Sequence, residues 1–193
     1  MRASPSPFIL STRWMEKIWL NNYPEGVPHE INPDAYPSVV EVFNTSVERF
    51  KHLPAYSNLD YTLSYGEVEV RSRAFAAYLQ NHTNLQPGDR IAIQMPNLLQ
   101  YPIALFGALR AGLVVVNTNP LYTPREMQHQ FKDSGAKALV IVSMFADKLQ
   151  EVLPQTEIEY VFLTHIGDSL PWLKRNLVNF VVKNVKKMVP DYD

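Results

Sequence analysis

The apolar positions of this chain keep two different periods, and the switches between them outline its elements. Val39, Val42, Phe43, Val47 and Phe50 recur at helical spacing. Ser38-Val39-Val40-Glu41 precedes them as a capping box: the Ser hydroxyl accepts the amide three residues on, and the Glu reaches back. The pattern predicts a helix over 38–51, stopped by Pro54. Ala55–Asn58 and Tyr61–Ser64 read as a short hairpin around Leu59-Asp60. A second capping box, Ser64-Tyr65-Gly66-Glu67, opens a helix whose buried face is Val68, Phe75, Ala76 and Leu79.

After the turn Gln86-Pro87-Gly88-Asp89 the strands lose their alternation. Arg90–Met95, Leu113–Val116, Ala138–Val142 and Tyr160–Leu163 are short continuous apolar runs, the pattern of strands covered on both faces. Helical segments separate them. One runs from beyond Pro96-Asn97 to about Arg110, and it tolerates Pro102 only near its first turn; Gly112 lies just past its end. Another opens on a third capping box, Thr123-Pro124-Arg125-Glu126, shows Met127, Gln130 and Phe131, and ends at Gly135. A third is expected from a Ser143 cap through Leu153, before Pro154. From residue 90 the order is therefore β-α-β-α-β-α-β, which argues for an α/β fold: a parallel sheet flanked by helices in right-handed βαβ units. Leu113–Val116 and Ala138–Val142 are expected at or near its centre.

The two ends differ from this middle. Residues 1–14 are Pro-broken, with Arg2 and Arg13 their charged side chains, and read as a disordered extension, with Met15 as a candidate start. Residues 15–37 are rich in Pro and Asn and read as an extended lead whose Trp19 and Tyr23 bury their rings. Residues 38–193 then form the α/β domain. Near its end, in 172–188, Leu173, Leu177, Phe180, Val181, Val185 and Met188 share a helical face, with Arg175, Lys183, Lys186 and Lys187 on or near the other. No acidic residue falls between Trp172 and Val189. Two readings stand. Such a helix packs on its own protein, as most amphipathic helices do, or it lies on an anionic membrane surface.

Composition changes this picture mainly by exclusion. The 193 residues are 46% hydrophobic, with 18 Lys and Arg against 19 Asp and Glu, so overall charge makes no case for nucleic acid. There is no Cys, hence no disulfide framework, thiolate nucleophile or Cys-based metal site. No apolar run reaches the roughly 20 residues of a spanning helix. The 7 glycines are dispersed, whereas a phosphate-cradling loop needs clustered backbone amides. Gly107 and Gly112 have P-loop spacing, but Leu113-Val114 stands where Lys-Ser/Thr is needed. The histidines His29, His52, His82, His129 and His165 lack ligand spacing, and His129 with Asp133 reads as a surface pair. There is no Gly-x-Ser-x-Gly elbow. Composition and spacing alone thus describe an α/β domain without a recognisable active site.

Several segments carry a resemblance. Met15-Glu-Lys-Ile-Trp-Leu-Asn, Arg71-Ser-Arg-Ala-Phe-Ala-Ala-Tyr-Leu, Gly88-Asp-Arg-Ile-Ala, Met95-Pro-Asn-Leu-Leu-Gln-Tyr-Pro, Asn119-Pro-Leu-Tyr-Thr-Pro-Arg-Glu and Asp133-Ser-Gly-Ala resemble the amino-terminal part of the long-chain fatty acid–CoA ligases, members of the adenylate-forming (AMP-binding) superfamily. Leu63-Ser-Tyr-Gly-Glu-Val looks like the first core motif of that superfamily, Leu109-Arg-Ala-Gly like the second, and Val178-Asn-Phe-Val-Val-Lys like the equivalent region of these ligases. The resemblance implies the first part of a large amino-terminal domain. It also implies a two-step reaction in which ATP and a fatty acid give an acyl-adenylate and pyrophosphate, with Mg²⁺ shielding the phosphates, before CoA displaces AMP.

The family's catalytic pieces lie downstream of the matched part and have no counterpart in residues 1–193, so the resemblance carries over no catalytic, cofactor-binding or metal residue. ATP, Mg²⁺ and CoA are implied for the full-length family and none is expected to bind this chain specifically. The expectation is the amino-terminal portion of a cytoplasmic ligase, inactive alone. Peripheral membrane contact through 172–188, on the membrane's inner face, and homo-oligomer formation stand as further expectations. A non-enzymatic interaction or membrane-docking module is the competing reading.

Overall fold

The computed structural model describes residues 16–192; the extension at 1–14 and the candidate start at Met15 lie outside the described residues. Two compact units divide the chain between Tyr36 and Pro37. In the first, Ile18–Asn22 forms a 3₁₀ turn, Lys17 pairs with Glu30 at 2.6 Å, and Tyr23 meets His29 edge-on. Trp19 and Tyr23, expected to bury their rings, are both exposed.

The second unit begins with α1 (Val39–Phe50), the hairpin β1 (Pro54–Asn58) and β2 (Tyr61–Ser64), and α2 (Tyr65–His82). There follow β3 (Arg90–Gln94), α3 (Gln100–Arg110), β4 (Val114–Asn117), α4 (Pro124–Ser134), β5 (Ala136–Val142), α5 (Ala146–Val152), β6 (Tyr160–Thr164) and α6 (Trp172–Phe180). β1 and β2 pair antiparallel; β4-β3-β5-β6 is a parallel sheet in that order.

This order explains which side each helix takes. The path steps from β3 to β4 in one direction, then crosses back past β3 to β5 and on to β6. With one crossover hand, reversing direction sends the connecting helix to the opposite face. The side chains agree. Ile91 and Ile93 of β3 and Ala138, Val140 and Val142 of β5 pack with Ala76, Leu79, Ala104 and Ala108 of α2 and α3. Ala92, Leu139 and Ile141 point the other way, against Met127 and Phe131 of α4 and Leu149 and Val152 of α5. A third cluster joins Phe43 and Val47 of α1 to Leu63, Val68, Leu99 and Leu170.

Capping chemistry sets the boundaries. The boxes at Ser64/Glu67 and Thr123/Glu126 close in both directions. At α1 only half of the box forms: Ser38 accepts from Glu41 N at 3.1 Å, while the Glu41 carboxylate turns to Asn44. Pro102 is the third residue of α3, inside the first turn. Gly135 ends α4 in the left-handed region, φ +59°, the αL termination that spares a Cβ clash.

Four more expectations are corrected. Val39, Val42 and Phe50 are exposed, and α1 buries only Phe43 and Val47. Among the described residues the run at Leu113–Val116 is an edge strand, β4, rather than a central one; Val114 is exposed and only β3 pairs with it there. Ser143 does not cap a helix. A 3₁₀ turn, Ser143–Phe145, precedes α5, and the Ser143 hydroxyl is bonded to His165 instead. The segment 172–188 is not one helix: α6 ends at Phe180, and Val181–Val185 widens into a π turn. There Asn184 Nδ2 donates to Phe180 O, taking a carbonyl that the regular ladder would use. Among the described residues no helix is long and apolar enough to cross a membrane.

Candidate functional site

Open parallel sheets bind ligands outside the carboxyl ends of their strands, where the strand order reverses. Here that point lies between β3 and β5. Gln94 closes β3, fully buried; its Nε2 donates to Asn119 O at 3.3 Å, and its Oε1 is buried and accepts no hydrogen bond from the described residues. At the end of β4, Asn117 Oδ1 accepts from the Tyr101 hydroxyl at 2.8 Å, and the next residue, Thr118, is buried with its amide on Ile93 O. Asn58 of the hairpin donates to Asn97 O at 3.0 Å. This is a rim of amides and hydroxyls, without a cationic side chain in its hydrogen bonds.

At the carboxyl ends of β5 and β6 the chemistry is denser. Ser143 Oγ and His165 Nδ1 share a hydrogen bond of 2.7 Å. Asp168 Oδ2 accepts from the His165 backbone amide at 2.7 Å, and Oδ1 accepts from Asn179 Nδ2 at 3.0 Å. Asn179 Oδ1 in turn accepts from Gly167 N at 2.8 Å. Gln100 Nε2 donates to His165 O at 2.7 Å. A cavity of about 230 Å³ opens here, lined by Ser143, His165, Phe180, Lys183 and Asn184 among others. The Ser–His pair is not a nucleophilic dyad. Ser143 is buried, and Asp168 holds the backbone of His165 rather than its ring, so no carboxylate orients the imidazole. The network instead clasps α6 to the loop that follows β6.

The P-loop-like spacing is resolved as packing. A Cβ on Gly107 would lie 2.7 Å from Phe75 Cδ1 and 3.0 Å from Ser72 O, so this glycine lets α2 and α3 approach. Gly112, φ +83°, reverses the chain after α3 against Pro87. Neither presents a phosphate cradle. Among the described residues no three His, Cys, Asp or Glu side chains converge. His129 and Asp133 lie on the exposed side of α4, beside a shallow polar groove.

The shifted acids belong to the scaffold. Hydrogen bonds from the Ser64 amide and hydroxyl hold the Glu67 carboxyl below its ordinary range, and Thr123 does the same to Glu126. The Gln86 amide, then Lys137 at 2.8 Å, lower Asp89. Burial lowers the Arg110 guanidinium, which lies over the Phe43 ring and donates to Asn44 Oδ1 at 2.7 Å. Burial, with Tyr65 and Tyr101 nearby, raises Tyr56. The sequence pattern did not single out Gln94 or the Ser143–His165 pair. Their signal is positional: each is a polar residue at or directly after the last residue of an apolar strand.

A profile of AMP-binding enzymes matches residues 43–191. A long-chain-fatty-acid–CoA ligase of Escherichia coli is 57% identical over 178 residues, 92% of this chain and 32% of that protein. One of Bacillus subtilis is 31% identical over 92% of this chain and 31% of its own length. The chain thus spans about a third of the curated relatives it matches. Among solved structures, a long-chain-fatty-acid–CoA ligase of Archaeoglobus fulgidus superposes with a TM-score of 0.62 at 23% identity, covering 74% of this chain and 30% of that one. A benzoate–CoA ligase of Burkholderia xenovorans superposes at 0.60 with 26% identity, over 65% of this chain and 25% of that chain.

Proposed function

The chain belongs to the AMP-binding enzyme family, and from that premise we propose that it is the amino-terminal portion of a long-chain fatty acid–CoA ligase. The whole enzyme would join ATP and a fatty acid into an acyl-adenylate with release of pyrophosphate, and the CoA thiol would then displace AMP to give the acyl-CoA. ATP, CoA and Mg²⁺ belong to that whole. The observation that carries the reading is the high identity to a bacterial ligase along nearly the whole chain. It weighs against a non-enzymatic module. Within the reaction this portion acts as scaffold: β3, β4 and β5 with their helices form a packed wall whose carboxyl-end rim offers hydrogen bonds but no phosphate clamp. The protein works in the cytoplasm, with peripheral contact to the inner face of a membrane through residues 172–188.

A chimera tests this. This chain replaces the corresponding 178 residues of the E. coli relative, and oleoyl-CoA formation is assayed with ATP, oleate and CoA. We expect the chimera to turn over, and the isolated 193-residue chain to give only the blank rate. A folded chimera without activity would remove the ligase reading; turnover by the isolated chain would remove the scaffold role.

A further inference from the structure

We infer that α6 is a docking helix for an anionic lipid surface, and that it brings the carboxyl ends of the parallel strands next to the lipid. The inference rests on the peripheral contact proposed above and adds to it the face, the lipid chemistry and the orientation.

The face follows from how α6 is held. Val178 packs into the cluster of α1, β2 and α2, and Asn179 bonds Gly167 and Asp168. The stripe turned to solvent is the more apolar one. Trp172 is 67% exposed, Leu173 74%, Leu177 64% and Phe180 59%. Four large apolar side chains in nine residues of one helix form a contiguous patch of the kind that marks an interaction surface. The sequence left this face open between the protein's own core and a membrane surface, and in the structure it is exposed.

The lipid chemistry follows from charge. Lys174, Arg175, Lys183, Lys186 and Lys187 accompany the stripe, with no acid between Trp172 and Val189. Removing these five cations leaves 13 basic against 19 acidic residues, so the rest of the chain is net acidic. An acidic protein with one basic, apolar-faced helix complements a surface that is anionic outside and apolar beneath, which is an anionic bilayer. Pairing of α6 with the α6 of a second copy is disfavoured, because it sets the same cations against one another.

The orientation follows from the clasp. Asp168 caps the His165 amide directly after β6 and holds Asn179 of α6, so the helix is fixed at the carboxyl end of β6. A long-chain carboxylate is itself dissolved in the bilayer. Docking through α6 sets the ligand-binding end of the sheet beside that source.

Vesicle sedimentation with the full chain tests the surface, using phosphatidylcholine vesicles with and without phosphatidylglycerol. We expect binding only with the anionic lipid, falling as salt rises. Leu177→Glu with Phe180→Glu should abolish it. Each Lys→Gln change at Lys183, Lys186 or Lys187 should lower partitioning roughly fivefold. Because the chain holds no Cys, a fluorophore on Leu177→Cys should be quenched by nitroxide lipids while one on Gln86→Cys, in the turn before β3, should not. Equal binding to zwitterionic vesicles, no effect of the Glu pair, a Glu pair that dissolves self-association in the absence of vesicles, or equal quenching at both labels would each overturn the inference. None of these readouts uses ATP, oleate or CoA, so this failure is separable from failure of the ligase reading.

Discussion

Leu59 and Asp60, the central residues of the hairpin turn, both sit in the left-handed region, φ +48° and +51°. Two-residue hairpins demand this backbone because its twist matches the strands, and Asn-Gly meets it with little strain. Asp60 is fully exposed and reaches Lys174 only at 3.9 Å, a contact of small worth in water. Leu59→Asn with Asp60→Gly is therefore expected to raise stability by about 1 kcal/mol, read as a higher urea midpoint at unchanged slope. Gly107 is the opposite case. A methyl there would meet the Phe75 ring and the Ser72 carbonyl, and only the ring can give way. Gly107→Ala should cost roughly 1–3 kcal/mol, despite the better helix propensity of Ala; a stabilised variant would show that α2 and α3 are not in close contact.

At the level of elements, what could be read in advance was whatever is written locally. Ser64 and Thr123 announce their helices because both halves of each box lie within four residues, and Gly135 ends α4 for a reason local to its own φ. Ser64→Ala and Thr123→Ala should each lose about 1 kcal/mol at neutral pH. The Glu67 and Glu126 carboxyls are held below their ordinary range by those same groups. Their stabilisation is therefore complete above the unfolded value, about pH 4.3, and is lost as pH falls through the folded one. Glu67→Gln should flatten the fall in urea midpoint below about pH 4, and an unchanged acid limb would refute the coupling. Strand order, by contrast, is not local. Val114-Val115-Val116 and Leu139-Val140-Ile141 look alike as strings, yet crossing back past β3 leaves β4 at the edge and encloses β5. Substitution should separate them: Leu139→Ala at about 2–5 kcal/mol and Val114→Ala well under that. The candidate site was less legible for the same reason, since Ser143 and His165 meet only because β5 and β6 pair.

For the whole molecule, the open question is what the sheet does at its ends. Among the described residues β4 and β6 each pair on one side only. Proteins blunt such edges with charge, proline or bulges, and Tyr160-Val161-Phe162-Leu163-Thr164 has none of these. Val161 and Leu163 are exposed, and beside them a groove of about 380 Å³ is lined by Ala146, Leu149 and Leu153 of α5 and its continuation. An uncharged strand with free backbone groups next to an apolar groove is a template for another strand. We therefore expect the chain to self-associate at micromolar concentration through β6, measurable by sedimentation equilibrium. Val161→Lys with Leu163→Lys places two charges on that exposed face without touching the core, and should shift the chain towards monomer while leaving the thermal midpoint within a few degrees. The Glu pair on α6 should leave the association unchanged, because a different surface carries it. A parent chain that sediments as a cooperative monomer would mean that β6 is already protected by its twist or by the side chains around it, and the edge argument would fail at its first step.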